Sequence, residues 1–172
     1  MRRRGAPAIG LWTCAAIAAV GALCACACAC ACAGPAQAQL SVADKQALAE
    51  LALQWAVDGG IPDVTLLKDP SKLVVLNTNL PAHTQLHVPN RTVSLLSPIR
   101  IQARADMVGD FLYFRFGPVA SDKGRATVSI ALVWAVGVRS KTPYLSGGGA
   151  TLQFEQRDGK WTRLPVNERW AS

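Results

Sequence analysis

The clearest pattern in the chain lies at residues 126–138. There Val128, Ile130, Leu132, Trp134, Val136 and Val138 alternate with Thr127, Ser129, Ala131, Val133 and Ala135. Successive side chains of a strand point to opposite faces, so this pattern predicts a strand with one bulky face and one small face. Leu152 and Phe154 alternate with Gln153, Glu155 and Arg157 across 150–157, and residues 111–119 also suit a strand. Asp122-Lys123-Gly124 and Arg157-Asp158-Gly159-Lys160 have the composition of hairpin turns, with 161–169 as the closing strand.

Upstream of residue 110 the period is mostly helical. Ser41 is an N-cap for a helix over 42–58, and Asp44 three residues on completes a capping-box-like pattern. Ala47, Leu48, Leu51, Ala52, Trp55 and Ala56 fall on one face at helical spacing and are expected in the core. Gly59-Gly60 ends this helix and Pro62 prevents its resumption. A second helix is expected over 98–108, with Ser97 as cap, Pro98 at the first helical position and Gly109 as stop. Between the helices, Lys68-Asp69-Pro70-Ser71 reads as a turn. Leu73–Leu76 and Val93–Leu96 read as short strands, and 77–92 as a long loop holding both histidines. Helical segments followed by hairpin-linked strands predict a single α+β domain from Gln39 to Ser172. Its N-terminal helix packs on a curved antiparallel sheet, with the helices on one face.

The first 38 residues follow a different logic. Arg2-Arg3-Arg4 precede an apolar stretch from Ala8 to Ala33 broken only by Thr13, and Ala36-Gln37-Ala38 is an A-x-A cleavage pattern. An export signal cleaved after Ala38 is expected. Two alternatives stand beside it. One is an uncleaved anchor, since at about 1.5 Å per residue the stretch could cross a bilayer core of roughly 30 Å. The other is a lipoprotein, because Leu23-Cys24-Ala25-Cys26 resembles a lipobox with Cys26 as the acylated residue. The protein is thus placed in the periplasm or outside the cell, or on the membrane through the leader or a lipidated Cys26. All 6 cysteines lie in this leader, five of them in an alternating Cys-Ala repeat whose spacing cannot converge on a metal. The domain itself has no thiol, and therefore no disulfide, thiolate ligand or cysteine nucleophile.

Charge changes the picture little. Of 18 basic residues three belong to the leader, which leaves 15 against 11 acidic ones. They are scattered, with no basic stripe among aromatics, so nucleic acid is not an expected partner.

The opening helix and the final meander resemble the nuclear transport factor two-like superfamily. The resemblance is carried above all by residues 149–161, Gly-Ala-Thr-Leu-Gln-Phe-Glu-Gln-Arg-Asp-Gly-Lys-Trp. It implies a cone: a long N-terminal helix packed on a strongly bent antiparallel sheet around an apolar pocket. Isomerases, dehydratases, cyclases and non-enzymatic binders share that fold, so the resemblance implies a pocket and no particular reaction. Leu73–Leu96 departs from the superfamily's usual opening.

Candidate chemistry is sparse. His83 and His87 are four apart, but Pro81 and Pro89 exclude the helix that would align them on a metal, and no metal site is expected. His87 is the candidate general base, with Asp106 and Asp110 the available carboxylates. Arg115 stands in an otherwise apolar strand, where it either faces solvent or fixes an anion. Trp134, Tyr113, Arg115 and Tyr144 are the candidate ligand contacts, with Trp134 and Tyr113 foremost on the pocket face. Gly147-Gly148-Gly149 is read as a bend or bulge, since no phosphate-loop consensus is present. There is no G-x-S-x-G or H-E-x-x-H, and no cofactor is called for. The leading expectation is an exported binding module with an apolar pocket for a small molecule or an envelope partner. The alternatives are a cofactor-independent lyase or isomerase using His87 or an aspartate, and a structural component of the envelope.

Overall fold

The computed structural model describes residues 40–142, 147–165 and 168–171. The leader, its Cys-Ala repeat, Cys26, the cleavage point at Ala38 and Tyr144 lie outside the described residues. The fold is α+β: an N-terminal helix packs against a strongly curled, half-barrel mixed sheet.

Helix α1 (Val42–Trp55) starts where the capping chemistry places it. The Ser41 hydroxyl accepts the Asp44 backbone N–H at 3.0 Å and donates to the Asp44 carboxylate at 2.6 Å. A wide turn at Ala56–Gly60 ends it, with Gly59 at φ 94°. The buried face differs from the expected one. Leu48, Ala49, Ala52, Leu53 and Ala56 are buried, whereas Leu51 is 39% exposed and Ala47 is half-buried. The helix is apolar on more than one side, so periodicity alone left its rotation open by about one residue.

Strands β1 (Lys72–Leu76), β2 (Thr92–Leu96), β3 (Phe111–Phe116), β4 (Ala120–Asp122), β5 (Arg125–Ala135), β6 (Gly148–Arg157), β7 (Lys160–Arg163) and β8 (Glu168–Ala171) form one sheet. Its main order is β2-β1-β3-β5-β6-β7; β4 pairs with β5, and β8 pairs with β6. From β3 onward all pairing is antiparallel. The two ladders of β1 are parallel, so the sheet is mixed rather than wholly antiparallel. The parallel pair β1–β2 is joined by the long segment 77–91, and α2 (Pro98–Val108) carries the chain from β2 past β1 to β3.

That crossover places α2 on the side of the sheet away from α1, which corrects the expectation of helices on one face. Leu73 and Val75 of β1 join the core under α1, while Val74 and Leu76 join a second cluster with Ile101 and Ala105 of α2. A strand buried on both faces reads as an unbroken apolar run, which is how Leu73–Leu76 reads. On the inner face Phe114, Phe116, Phe154, Ile130, Leu132 and Leu152 pack against α1, each at most 1% exposed. Each such burial stabilises by about 1.5–3 kcal/mol. Side chains therefore fill the concave interior at its centre.

The alternation of β5 is as read up to Ala135. Val128, Ile130 and Leu132 are inner, Trp134 packs half-buried against the same cluster, and Ala135 faces α2. The strand stops short of the expected Val138. The Asp110 carboxylate takes the Gly137 N–H at 2.8 Å and the Asp106 carboxylate takes the Val138 N–H at 2.8 Å, which draws these donors off the ladder. The closing strand is also shorter than expected, breaking into β7 and β8 after Arg163. Pro165, which has no N–H, stands in the break. Both hairpin turns have paired positive φ, Lys123-Gly124 (46°, 77°) and Asp158-Gly159 (50°, 74°), which matches the right-handed twist of the strands they join.

Candidate functional site

The uncovered side of α1 forms one wall of a groove of about 710 Å³. Ala43, Ala47 and Leu51, four residues apart along the helix, make an apolar floor. Trp161 of β7 forms the opposite wall near the start of the helix, and Pro89 contributes from the long loop. Three hydrogen bonds fix this geometry. The Trp161 indole N–H donates to the Asp44 carboxylate at 2.7 Å, tying β7 to the first turn of α1. The His87 backbone N–H donates to the Glu50 carboxylate at 3.0 Å, and the Gln46 amide donates to the Gln85 carbonyl at 2.7 Å. These bonds lay residues 85–89 along the helix, with Leu86 and Val88 buried in the core beneath. The Ser41 hydroxyl and the Trp161 N–H hold the Asp44 carboxyl below its ordinary value. The polar rim is Asp44, Glu50, Gln54, His87 and Lys160 around apolar walls.

A second cavity, of about 520 Å³, opens along the last residues of β5 beside Gly148 and Trp170. Trp134 and Arg115 both line it, together with Ala131 and Val133. The structure thus brings together two of the four expected ligand contacts. Tyr113 is not with them. The register sets Leu112 opposite Trp134 and Tyr113 opposite Val133, so Tyr113 lies on the α2 side of the sheet and packs with the second cluster. This corrects the pairing of Trp134 with Tyr113 on one pocket face. Adjacent residues of one strand cannot share a face, and β3 meets β5 one position out of step with that pairing. Arg115 is exposed, on the same face as Tyr113.

Comparison with family models, curated proteins and solved structures finds no match for this chain. The site therefore rests on its own geometry.

His87 and Asp106 do not meet. His87 is exposed at the rim of the α1 groove, whereas Asp106 is on α2, across the sheet. Asp106 accepts from the Val138 N–H and from the Gln102 amide at 3.0 Å, and so fastens the turn after β5 to α2. Asp110 does the same through Gly137 and the Ser140 hydroxyl. These hydrogen bonds hold the Asp110 carboxyl below its ordinary value, the Ser140 hydroxyl contributing most. Both aspartates brace a turn on the opposite side of the sheet from the groove. His83 is exposed in the turn after Pro81, at φ 61°. Among the described residues no group of three or more metal-ligating side chains comes together.

Sequence reasoning missed the groove itself and assigned Leu51 and Ala47 to the core. The available signal was an excess: Ala43, Ala47 and Leu51 form a second apolar row beside Leu48, Ala52 and Ala56. One sheet contact cannot cover both rows of a single helix.

Proposed function

We propose that this chain is an exported binding module of nuclear transport factor two-like architecture. It takes a small apolar molecule in the groove along α1, with no reaction assigned to it. The observation that supports this reading is the apolar row Ala43–Ala47–Leu51, left uncovered beside a tryptophan that a carboxylate hydrogen bond holds in place. A volume of about 710 Å³ lies within the usual range for small-molecule sites, as does an apolar lining with a few fixed polar groups at its edge. Export rests on the basic and apolar leader ending in Ala36-Gln37-Ala38. Among the described residues no helix is long and apolar enough to cross a membrane.

The test is binding of the neutral fluorophore N-phenyl-1-naphthylamine by the full chain. Saturable enhancement is expected, with loss in Leu51→Lys at an unchanged melting temperature, because Leu51 is already partly exposed. Enhancement equal in both proteins would refute the reading. A second reading, a cofactor-independent lyase or isomerase, draws support only from His87 at the rim of the same groove. Turnover of a groove ligand that disappears in His87→Ala while binding persists would establish it.

A further inference from the structure

The mouth of the curl, beyond the C-terminal end of α1, gathers charge in a way the groove does not use. The Trp55 indole lies with one face on Gly60, where an added β-carbon would come within 2.3 Å of the ring. Two guanidinium groups stand over the same indole, Arg163 at 5.8 Å and Arg169 at 5.5 Å from the ring centre. They arrive from separate strands. Arg163 is opposite Phe154 in β7, and Arg169 is opposite Ala150 in β8. Phe154 and Ala150 are both inner-face positions of β6, so both arginines leave the sheet on its concave side, where both remain exposed. Four strand residues, roughly 13 Å, separate their points of origin, yet the side chains converge on one ring.

Nothing among the described residues neutralises this pair. Arg163 donates one N–H to the Leu164 carbonyl at 3.1 Å. Among the described residues neither arginine is ion-paired. Of the nearby carboxylates, Asp58 takes the Gln54 amide and Arg91, Glu168 projects from the other face of β8, and Asp63 lies beside Gly148 on the same face as Arg169 without pairing to either arginine. Like charges held together without a counterion repel, and cation–π attraction to one exposed-edge indole offsets this only in part.

We propose that Arg163, Arg169 and Trp55 form a binding site for a phosphate group, presented either by a free phosphate monoester or by a phospholipid head group. Two guanidinium forks match the several acceptor oxygens of a tetrahedral phosphate, whether a monoester with up to two negative charges or a phosphodiester with one. A carboxylate offers two acceptor oxygens in one plane, too few and too flat for two forks arriving from separate strands. Trp55, backed by Gly60, is the flat support that keeps both arginine side chains in place.

Calorimetric titration of the full chain with sodium phosphate at pH 7.5 and constant ionic strength tests the site, with vesicles of phosphatidylglycerol or phosphatidylcholine as the second arm. Saturable binding is expected, weakened about tenfold or more in Arg163→Gln and in Arg169→Gln and lost in the double variant. Arg157→Gln, whose residue is already paired with Glu155, should bind like the parent. Binding of free phosphate assigns the soluble source. Binding of phosphatidylglycerol vesicles alone, dependent on both arginines, assigns the lipid. Phosphate should raise the melting temperature of the parent and not of the double variant. Should the double variant not fold, Arg163→Lys with Arg169→Lys keeps the charge and removes the forks, and must still bind more weakly. Absence of saturable binding in both arms, or binding that survives these variants, overturns the proposal.

Discussion

Phe114→Ala is the sharpest test of a filled interior. Phe114 is fully buried, pairs with Val75 on one side and Leu132 on the other, and lies under α1 at the centre of the curl. A phenylalanine buries about 150–250 Å², which at about 25 cal/mol per Å² is worth about 4–6 kcal/mol. Alanine retains the β-carbon, so the expected loss is about 3–5 kcal/mol, the range measured for large aromatic truncations. Against a total of about 5–15 kcal/mol that is at least a fifth and as much as most of the stability. The neighbouring Arg115→Ala should stay within about 0.5 kcal/mol, because that side chain is exposed on the other face. Urea denaturation followed by circular dichroism gives both values. A second readout follows from the geometry. The space left by Phe114 is walled by apolar side chains, so it should stay dry and bind benzene, raising the melting temperature of the variant but not of the parent. Equal losses in the two variants, or a Phe114→Ala cost below about 1 kcal/mol, would refute both the register and the filled core.

Three further outcomes are expected. The Ser140 hydroxyl, the Gly137 N–H and nearby Lys68 hold the Asp110 carboxyl below its ordinary value of 3.8. Its stabilising effect is therefore present above that value and lost as pH falls through the lower folded value, and Asp110→Asn should flatten the acid limb of melting temperature against pH. Ser41→Ala should cost about 1 kcal/mol by leaving the first turn of α1 uncapped, read from denaturant midpoints at unchanged slope. Melts of residues 39–172 with and without dithiothreitol should coincide, since every cysteine precedes residue 33; a shift would show that something else holds the domain together.

What could be read from the sequence was what neighbouring residues decide. Ser41, Pro98 and Gly109 set helix ends through their own backbone chemistry, and Lys123-Gly124 and Asp158-Gly159 set the hairpins. The alternation of β5 placed Val128 to Trp134 on one face because a one-residue slip would expose all of them. Partner choice between distant segments was not legible. Nothing local in Leu73–Leu76 says that its neighbours run parallel, and from that pairing follow the crossover, the side taken by α2 and the separation of Tyr113 from Trp134. The candidate site suffered in the same way. His87 was visible as a loop histidine, but the groove it borders exists only because the sheet covers one of α1's two apolar rows. Arg163 and Arg169 are ordinary strand residues until two separate ladders on β6 aim both at Trp55.

The bond between Asp44 and Trp161 spans 117 residues. A chain made from its N-terminus exposes α1 long before the strands that cover it exist. At about 5–20 residues per second the helix waits roughly 6–23 seconds for its sheet. The β3–β7 meander can pair as it emerges, since each ladder joins strands close in the chain, but the curl closes on α1 only when nearly everything has been made. Under the proposed export, α1 stays uncovered through most of synthesis, and a chain whose core is still open is what a translocation channel requires of its cargo. Chains ending at Leu152 should accordingly be cut by protease within α1, and chains ending at Ser172 should resist; equal resistance would show that the first helix finds its place without the last strands.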